Sequence, residues 1–91
     1  MGLGAMTAIS AAGKKPGSEV KIISIDGTRN AVQAIVDGKY NAVIESNPRF
    51  GPLAFAALEK FYDGSGVPAK TIISDKEYTK QNAQAELANA Y

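Results

Sequence analysis

Val20-Lys-Ile-Ile-Ser-Ile-Asp-Gly-Thr28 decides how this chain reads. A short apolar run ends in a carboxylate, then a glycine, then a threonine of the helix-capping kind. A buried parallel strand ends this way when it delivers a polar group to the mouth of an α/β sheet. Ligands of open α/β sheets gather at that carboxyl edge. Asp26 is therefore the first candidate for ligand contact. The apolar residues of 20–25 fall on both sides, which predicts a strand covered on each face.

Upstream, Leu3, Met6 and Ile9 recur at three-residue steps beside Ala5, Ala8 and Ala12. That spacing predicts one helix of three turns, ended by Gly13 and the turn Lys14-Lys15-Pro16-Gly17. Close packing of this helix on a sheet accounts for Gly2 and Gly4. Downstream, Thr28 is predicted to cap a second helix with Ala31, Val32, Ile35 and Val36 on one face, stopped at Asp37-Gly38. Asn41-Ala-Val-Ile-Glu-Ser46 reads as the second strand. Asn47-Pro48 offers a cap and a first-turn proline. Phe50, Ala54, Ala57, Leu58 and Phe61 then form a helical stripe. Pro52 would clash with the carbonyl of Pro48 inside that helix. The helix therefore starts near Gly51 or has an irregular first turn.

After the loop Asp63-Gly-Ser-Gly-Val-Pro68, Lys70–Ser74 is predicted as the third strand. Residues 75–78 read as polar and extended. Thr79 is expected to cap a last helix that leans on its alanines, Leu87 being its only large apolar residue. The order is a helix, then strand–helix three times. This is an α/β fold of three strands and four helices, with a parallel sheet joined by right-handed crossovers. Three strands leave open edges, so the three-layer sheet reads as incomplete.

The chain has 91 residues, enough for one small domain. A domain of this size hides only roughly 60–65% of its unfolded surface. Ten Lys and Arg against nine Asp and Glu give a net charge of +1. The basic residues are scattered, which gives no electrostatic case for nucleic acid or an acidic membrane surface. Without cysteine or histidine, the chain has no thiol nucleophile, disulfide, thiolate metal site or imidazole base. No apolar run approaches the ~20 residues of a membrane span. There is no phosphate-binding loop, zinc pattern or nucleophile elbow, and no evident acid–base pair of carboxylates. The chain reads as a non-enzyme, with no cofactor and no metal.

The order of motifs resembles the C-terminal end of periplasmic sugar-binding proteins serving ABC transporters, the type I, ribose-binding-like class. The resemblance rests on Ala11-Ala-Gly-Lys-Lys-Pro-Gly17, Val20 to Gly27, Ala31-Val-Gln-Ala-Ile-Val-Asp-Gly38, Asn41-Ala-Val-Ile-Glu45, Gly51-Pro-Leu-Ala-Phe55 and the final Ala-Glu-Leu-Ala-Asn-Ala-Tyr91. Each motif is loose; the specificity lies in their collinearity over nearly the whole chain. Galactofuranose-binding-type variants look nearest. The resemblance implies two α/β lobes joined by a hinge, with a sugar in the cleft between them. Residues 1–91 would then be a partial C-terminal lobe of a type I binding protein. The N-terminal lobe and the start of the C-terminal lobe would lie outside, and Met1 would be internal to a longer protein.

The resemblance places Asp26 where a carboxylate accepts hydrogen bonds from sugar hydroxyls. Carboxylates suit that task because they offer several acceptor sites and charge-assisted bonds. Glu45, Ser46 and Asn47 end the second strand and complete the candidate ligand-binding set. Ser46 falls where ribose-binding-like relatives carry glutamine. Strand alternation lets only one of Glu45 and Ser46 face the cleft, and Asn47 also suits a helix cap. Arg29 and Arg49 read mainly as surface residues. Tyr40 and Tyr62 read as packing residues, and Tyr78 is a further aromatic that could stack on a sugar.

The implied function is monosaccharide binding for uptake, in the periplasm, with a membrane permease as partner. The piece alone is expected to bind sugar poorly. Two alternatives remain. One is the effector domain of a sugar-responsive repressor, which an upstream helix-turn-helix would mark. The other is a self-associating homo-oligomer without ligand, pairing its open edges.

Overall fold

The computed structural model describes all of residues 1–91. Helix α1 spans Gly2–Ala11, strand β1 Ile23–Asp26, helix α2 Arg29–Val36, strand β2 Ala42–Glu45 and helix α3 Gly51–Asp63. Strand β3 at Glu77–Thr79, helix α4 at Ala83–Glu86 and a 3-10 turn at Leu87–Asn89 complete it. This is the α/β fold of three strands and four helices that the periodicity predicts. No helix is long and apolar enough to cross a membrane.

Local chemistry explains most boundaries. At the end of α1, Gly13 takes φ 75. Its N–H donates to Ser10 and that of Lys14 to Ile9, the paired bonds of a glycine-closed helix end. Helix α3 begins at Gly51 and carries Pro52 in its first turn, where no helical bond is lost. Asn41 fastens the entry to the sheet. Its Oδ1 accepts the Ile22 N–H at 2.8 Å and its Nδ2 donates to the Gly17 carbonyl at 2.9 Å.

The sheet order is β1-β2-β3. β1 and β2 are parallel, with Ile23 opposite Ala42 and Asp26 opposite Glu45. The third strand corrects the sequence reading twice. It lies at Glu77–Thr79 rather than Lys70–Ser74, and it runs antiparallel to β2, with Val43 opposite Tyr78. The sheet is therefore mixed. A parallel return needs a crossover helix lying on the sheet, and α3 buries none of its residues there. Thr71 and Ile73 instead line a small apolar cavity with Leu53, Ala54 and Ala57 of α3 and with Phe50 at its N-cap. Their β-branched character is spent on that helix, and Tyr78 becomes the residue that anchors the strand.

One face of the sheet is well covered. Val43 and Tyr78 are buried there beneath Ala31, Val32, Ala34 and Ile35 of α2, with Ile22, Tyr40, Ala83 and Ala90 completing the core. Leu3, Met6 and Ile9 of α1 pack against the same cluster. On the other face Ile23 and Ile25 are each 70% exposed and Ile44 41%. The expectation of a strand covered on both sides is thus corrected: of three layers, two are present. Tyr62, read as a packing residue, is also exposed. Thr79 does not cap α4, whose N-cap is Asn82; the Asn82 side chain instead accepts the Thr79 N–H at 2.8 Å.

Helix α3 stands away from this core. The radius of gyration is 17.4 Å and the longest extent 59 Å, against about 12 Å expected for the radius of a closed globule of this length. The excess is the arm formed by α3 and the segment returning from it.

Candidate functional site

The tips of β1 and β2 lie side by side at one end of the sheet. Asp26 has φ 103, the one non-glycine residue with positive φ, and Gly27 follows at φ 85. The turn is tight: a Cβ on Gly27 would lie 3.1 Å from Glu45 Cα and 3.2 Å from Tyr78 Cε2. This bend points the Asp26 carbonyl inward. It accepts the Ser46 N–H at 2.8 Å and the Tyr91 hydroxyl at 2.8 Å. The Asp26 side chain stays exposed and lines an open concavity of about 430 Å³ with Met1, Gly2, Ile23, Ser24 and Ile25.

Glu45 faces the core and is 4% exposed. Tyr78 donates to its Oε1 at 2.8 Å, Asn47 Nδ2 donates to the same oxygen at 3.3 Å, and the Lys76 N–H donates to Oε2 at 3.1 Å. A buried carboxylate needs such partners to remain charged. Strand alternation then turns Ser46 outward, and it is exposed beside Asp26. Asn47 is half-buried. Its N–H donates to Asp75 Oδ1 at 3.0 Å and its own Oδ1 accepts the Arg49 N–H at 2.8 Å. The structure thus brings the four predicted residues to one edge in two roles. Asp26 and Ser46 present free side chains, while Glu45 and Asn47 are engaged with the protein.

Three carboxylates of this edge act on the Tyr91 hydroxyl. Tyr91 has its phenol raised above the ordinary tyrosine value, first by burial, then by the charges of Asp26, Glu45 and Asp75. Burial and the Glu45 carboxylate push Tyr78 up to about 12. No group of three or more His, Cys, Asp or Glu side chains is placed to hold a metal ion. An exposed carboxylate beside an exposed hydroxyl is suited to the hydroxyls of a polyol: the carboxylate accepts, and serine both accepts and donates.

Comparison with known proteins shows what the chain as a whole is similar to. No family model matches the chain. It is 46% identical over 89 residues to the fructose import binding protein of Bifidobacterium longum, covering 98% of this chain and 27% of that protein. The chain is similar in sequence and in fold to one segment of periplasmic sugar-binding proteins. It is 39% identical over 88 residues to the galactofuranose-binding protein of Escherichia coli, covering 96% of this chain and 28% of that one. Among solved structures, a Mycobacterium smegmatis protein in complex with β-D-fucofuranose superposes with a TM-score of 0.90 at 43% identity, over 97% of this chain and 29% of that one. The periplasmic binding protein of an arabinose ABC transporter from Shewanella sp. ANA-3, bound to α- and β-L-arabinofuranose, gives 0.84 at 37%, over 97% and 30%. The chain thus spans between 27% and 28% of the length of these two curated relatives. These relatives are solute-binding transport proteins, not enzymes.

Three residues at this edge lie outside the candidate ligand-binding set. Tyr91 bonds to both strand tips, Tyr78 holds Glu45, and Asp75 holds the Asn47 N–H. Tyr78 and Asp75 sit where the sequence suggests only polar extended chain. Tyr91 has no periodicity around it. Its one signal is its place at the end of the motif Ala-Glu-Leu-Ala-Asn-Ala-Tyr91.

Proposed function

We propose that this chain forms one wall of a sugar-binding cleft in a periplasmic solute-binding protein that hands a monosaccharide to an ABC permease. Residues 1–91 act as a partial C-terminal lobe. Asp26 and Ser46 meet the sugar hydroxyls, Asn47 lies at the rim, and Glu45 enters only through its hold on Asn47. Binding is noncovalent. The observation that carries this reading is the unpartnered Asp26 carboxylate, held on a strained tip directly beside Ser46. Ser46 is shorter than the glutamine that ribose-binding-like relatives carry there. Among the relatives, galactofuranose, fucofuranose and arabinofuranose are all five-membered rings. We take the ligand of this chain to be a monosaccharide in that ring form.

Affinity comes from convergent groups in a closed pocket, and one wall supplies few of them. The chain alone should bind sugar only at millimolar concentration. NMR titration with methyl β-D-galactofuranoside, and with its pyranoside isomer as control, tests this. Furanoside-induced shifts at Asp26, Gly27 and Ser46 are expected, with smaller ones for the pyranoside. Shifts confined to other regions would overturn the site, and micromolar affinity would overturn the single-wall reading.

The bare isoleucine face and the α3 arm favour a second property. In a longer protein these surfaces would lie against the remainder of the chain, the arm reaching the opposite lobe. In the 91-residue chain by itself they should drive self-association.

A further inference from the structure

We propose that Tyr91 is a positioning residue for the sugar site, a latch that reinforces the backbone bond already joining the tips of β1 and β2. The proposal rests on the reading of Asp26 and Ser46 as ligand contacts. Tyr91 lies 65 residues from Asp26 and 45 from Ser46 in sequence. Yet its hydroxyl contacts the carbonyls of both, at 2.8 Å and 3.1 Å. These are the peptide oxygens of the two residues whose side chains are free. The anchor itself is independent of the hydroxyl: a backbone oxygen of Tyr91 accepts the Arg29 N–H, at the first turn of α2, and Ala90 is buried in the core.

The geometry separates holding the chain end from holding the tips. Removing the hydroxyl alone leaves the Arg29 bond and the Ala90 contact intact. The Asp26 carbonyl then keeps one donor, the Ser46 N–H, and the Ser46 carbonyl loses its contact from Tyr91. Two exposed side chains on separate strands bind one ring well only when their spacing is preset, since an unset spacing must be frozen on binding. A shared hydroxyl donor is the one side-chain link recorded between these two residues.

The hydroxyl also gives the latch a pH signature. The phenol donates to the carbonyls; the phenolate has no proton to donate and is repelled by their oxygens. Its pKa lies above the ordinary tyrosine value, so release belongs to strongly alkaline solution.

Tyr91→Phe in the 91-residue chain is the test, read by amide exchange and by titration with methyl β-D-galactofuranoside. Exchange at Ser46 should speed by about fivefold, the effect of one lost hydrogen bond, while exchange in α2 stays unchanged. Furanoside affinity should fall by a similar factor. In the wild type the Asp26 and Ser46 carbonyl-carbon signals should follow the alkaline titration of Tyr91, and in the variant that step should vanish. Unchanged exchange at Ser46 would overturn the latch. Faster exchange with unchanged affinity would show a fastening with no role in binding, and would overturn the positioning proposal. If the wild type itself gives no furanoside shifts, the assignment of the sugar site fails and positioning fails with it, while the exchange and pH data still judge the fastening separately.

Discussion

The backbone of Asp26 occupies a region that glycine fills at little cost and that costs other residues of order 1–3 kcal/mol. Its φ of 103 is maintained by the Ser46 N–H and the Tyr91 hydroxyl pulling its carbonyl inward. A residue kept against that cost suggests a use for its side chain. Asp26→Gly should therefore stabilise the chain by about 1 kcal/mol, strain relief exceeding the added flexibility of the unfolded state. The same variant should lose the furanoside-induced shifts. Urea unfolding beside the sugar titration checks both, and a variant less stable than wild type would refute the strain argument. Glu45 and Tyr78 make a second residue-scale case. Tyr78 titrates near 12 in the folded chain against 10.0 ordinarily. The fold thus favours the neutral phenol, and the contribution is intact below about pH 10. It drains away as pH rises from there toward 12. Tyr78→Phe should flatten that alkaline decline. It should also cost about 1–2 kcal/mol at neutral pH, because the buried Glu45 Oε1 keeps only its long bond from Asn47. The bend at Asp26 was legible in the sequence because an apolar run that closes in Asp-Gly marks a strand end and a turn. The commitment of Glu45 was not, because its partner Tyr78 belongs to a strand thirty-three residues away.

At the scale of elements, the sequence is readable where a periodic face meets the core and misleading where it does not. Ala31, Val32 and Ile35 of α2 announce their burial by spacing, and Gly13 announces the end of α1. Lys70–Ser74 has the composition of a strand, but this segment stays with α3, where Thr71 and Ile73 line the cavity, and does not reach a sheet edge. Glu77-Tyr78-Thr79 is too short to advertise itself, and tertiary pairing with β2 makes it a strand. The two glycines of α1 are both legible as contacts of a packed helix, but the structure separates them. A Cβ on Gly2 would come within 1.8 Å of Tyr40 Oη and 3.1 Å of Ser24 Cβ, while one on Gly4 meets nothing within 4 Å. Tyr40 is 1% exposed, so its hydroxyl would have to be displaced within a packed core. Gly2→Ala should thus pry the start of α1 from β1 and cost about 1–3 kcal/mol. Gly4→Ala should gain about 0.5–1 kcal/mol through helix propensity alone. Thermal unfolding of the two variants compares them directly; equal effects would mean that α1 does not dock as described.

For the whole molecule, the decisive fact is the surface that stays apolar after folding. Ile23 and Ile25 lie 70% exposed on the sheet, and Phe55 and Phe61 67% exposed on α3. Monomeric proteins rarely leave contiguous apolar patches so open, and such patches mark surfaces that meet another body. The arm and the sheet face are distinct patches, so charge on one can be tested without touching the other. Helix α3 has no buried residue, so a charge there removes little from the monomer. Phe55→Glu with Phe61→Glu should change unfolding stability by no more than about 0.5 kcal/mol at low protein concentration. The wild-type chain, by contrast, should gain mass with concentration in light scattering, and the double variant should do so much less. The contrast is physical: intramolecular stability depends on contacts already made, and association depends on surface not yet covered. If wild type and double variant stayed equally monomeric up to millimolar concentration, α3 would be a solvated arm rather than a docking element. If both associated equally, the bare isoleucine face would be the sole adhesive surface, and Ile23→Lys with Ile25→Lys should then abolish the association.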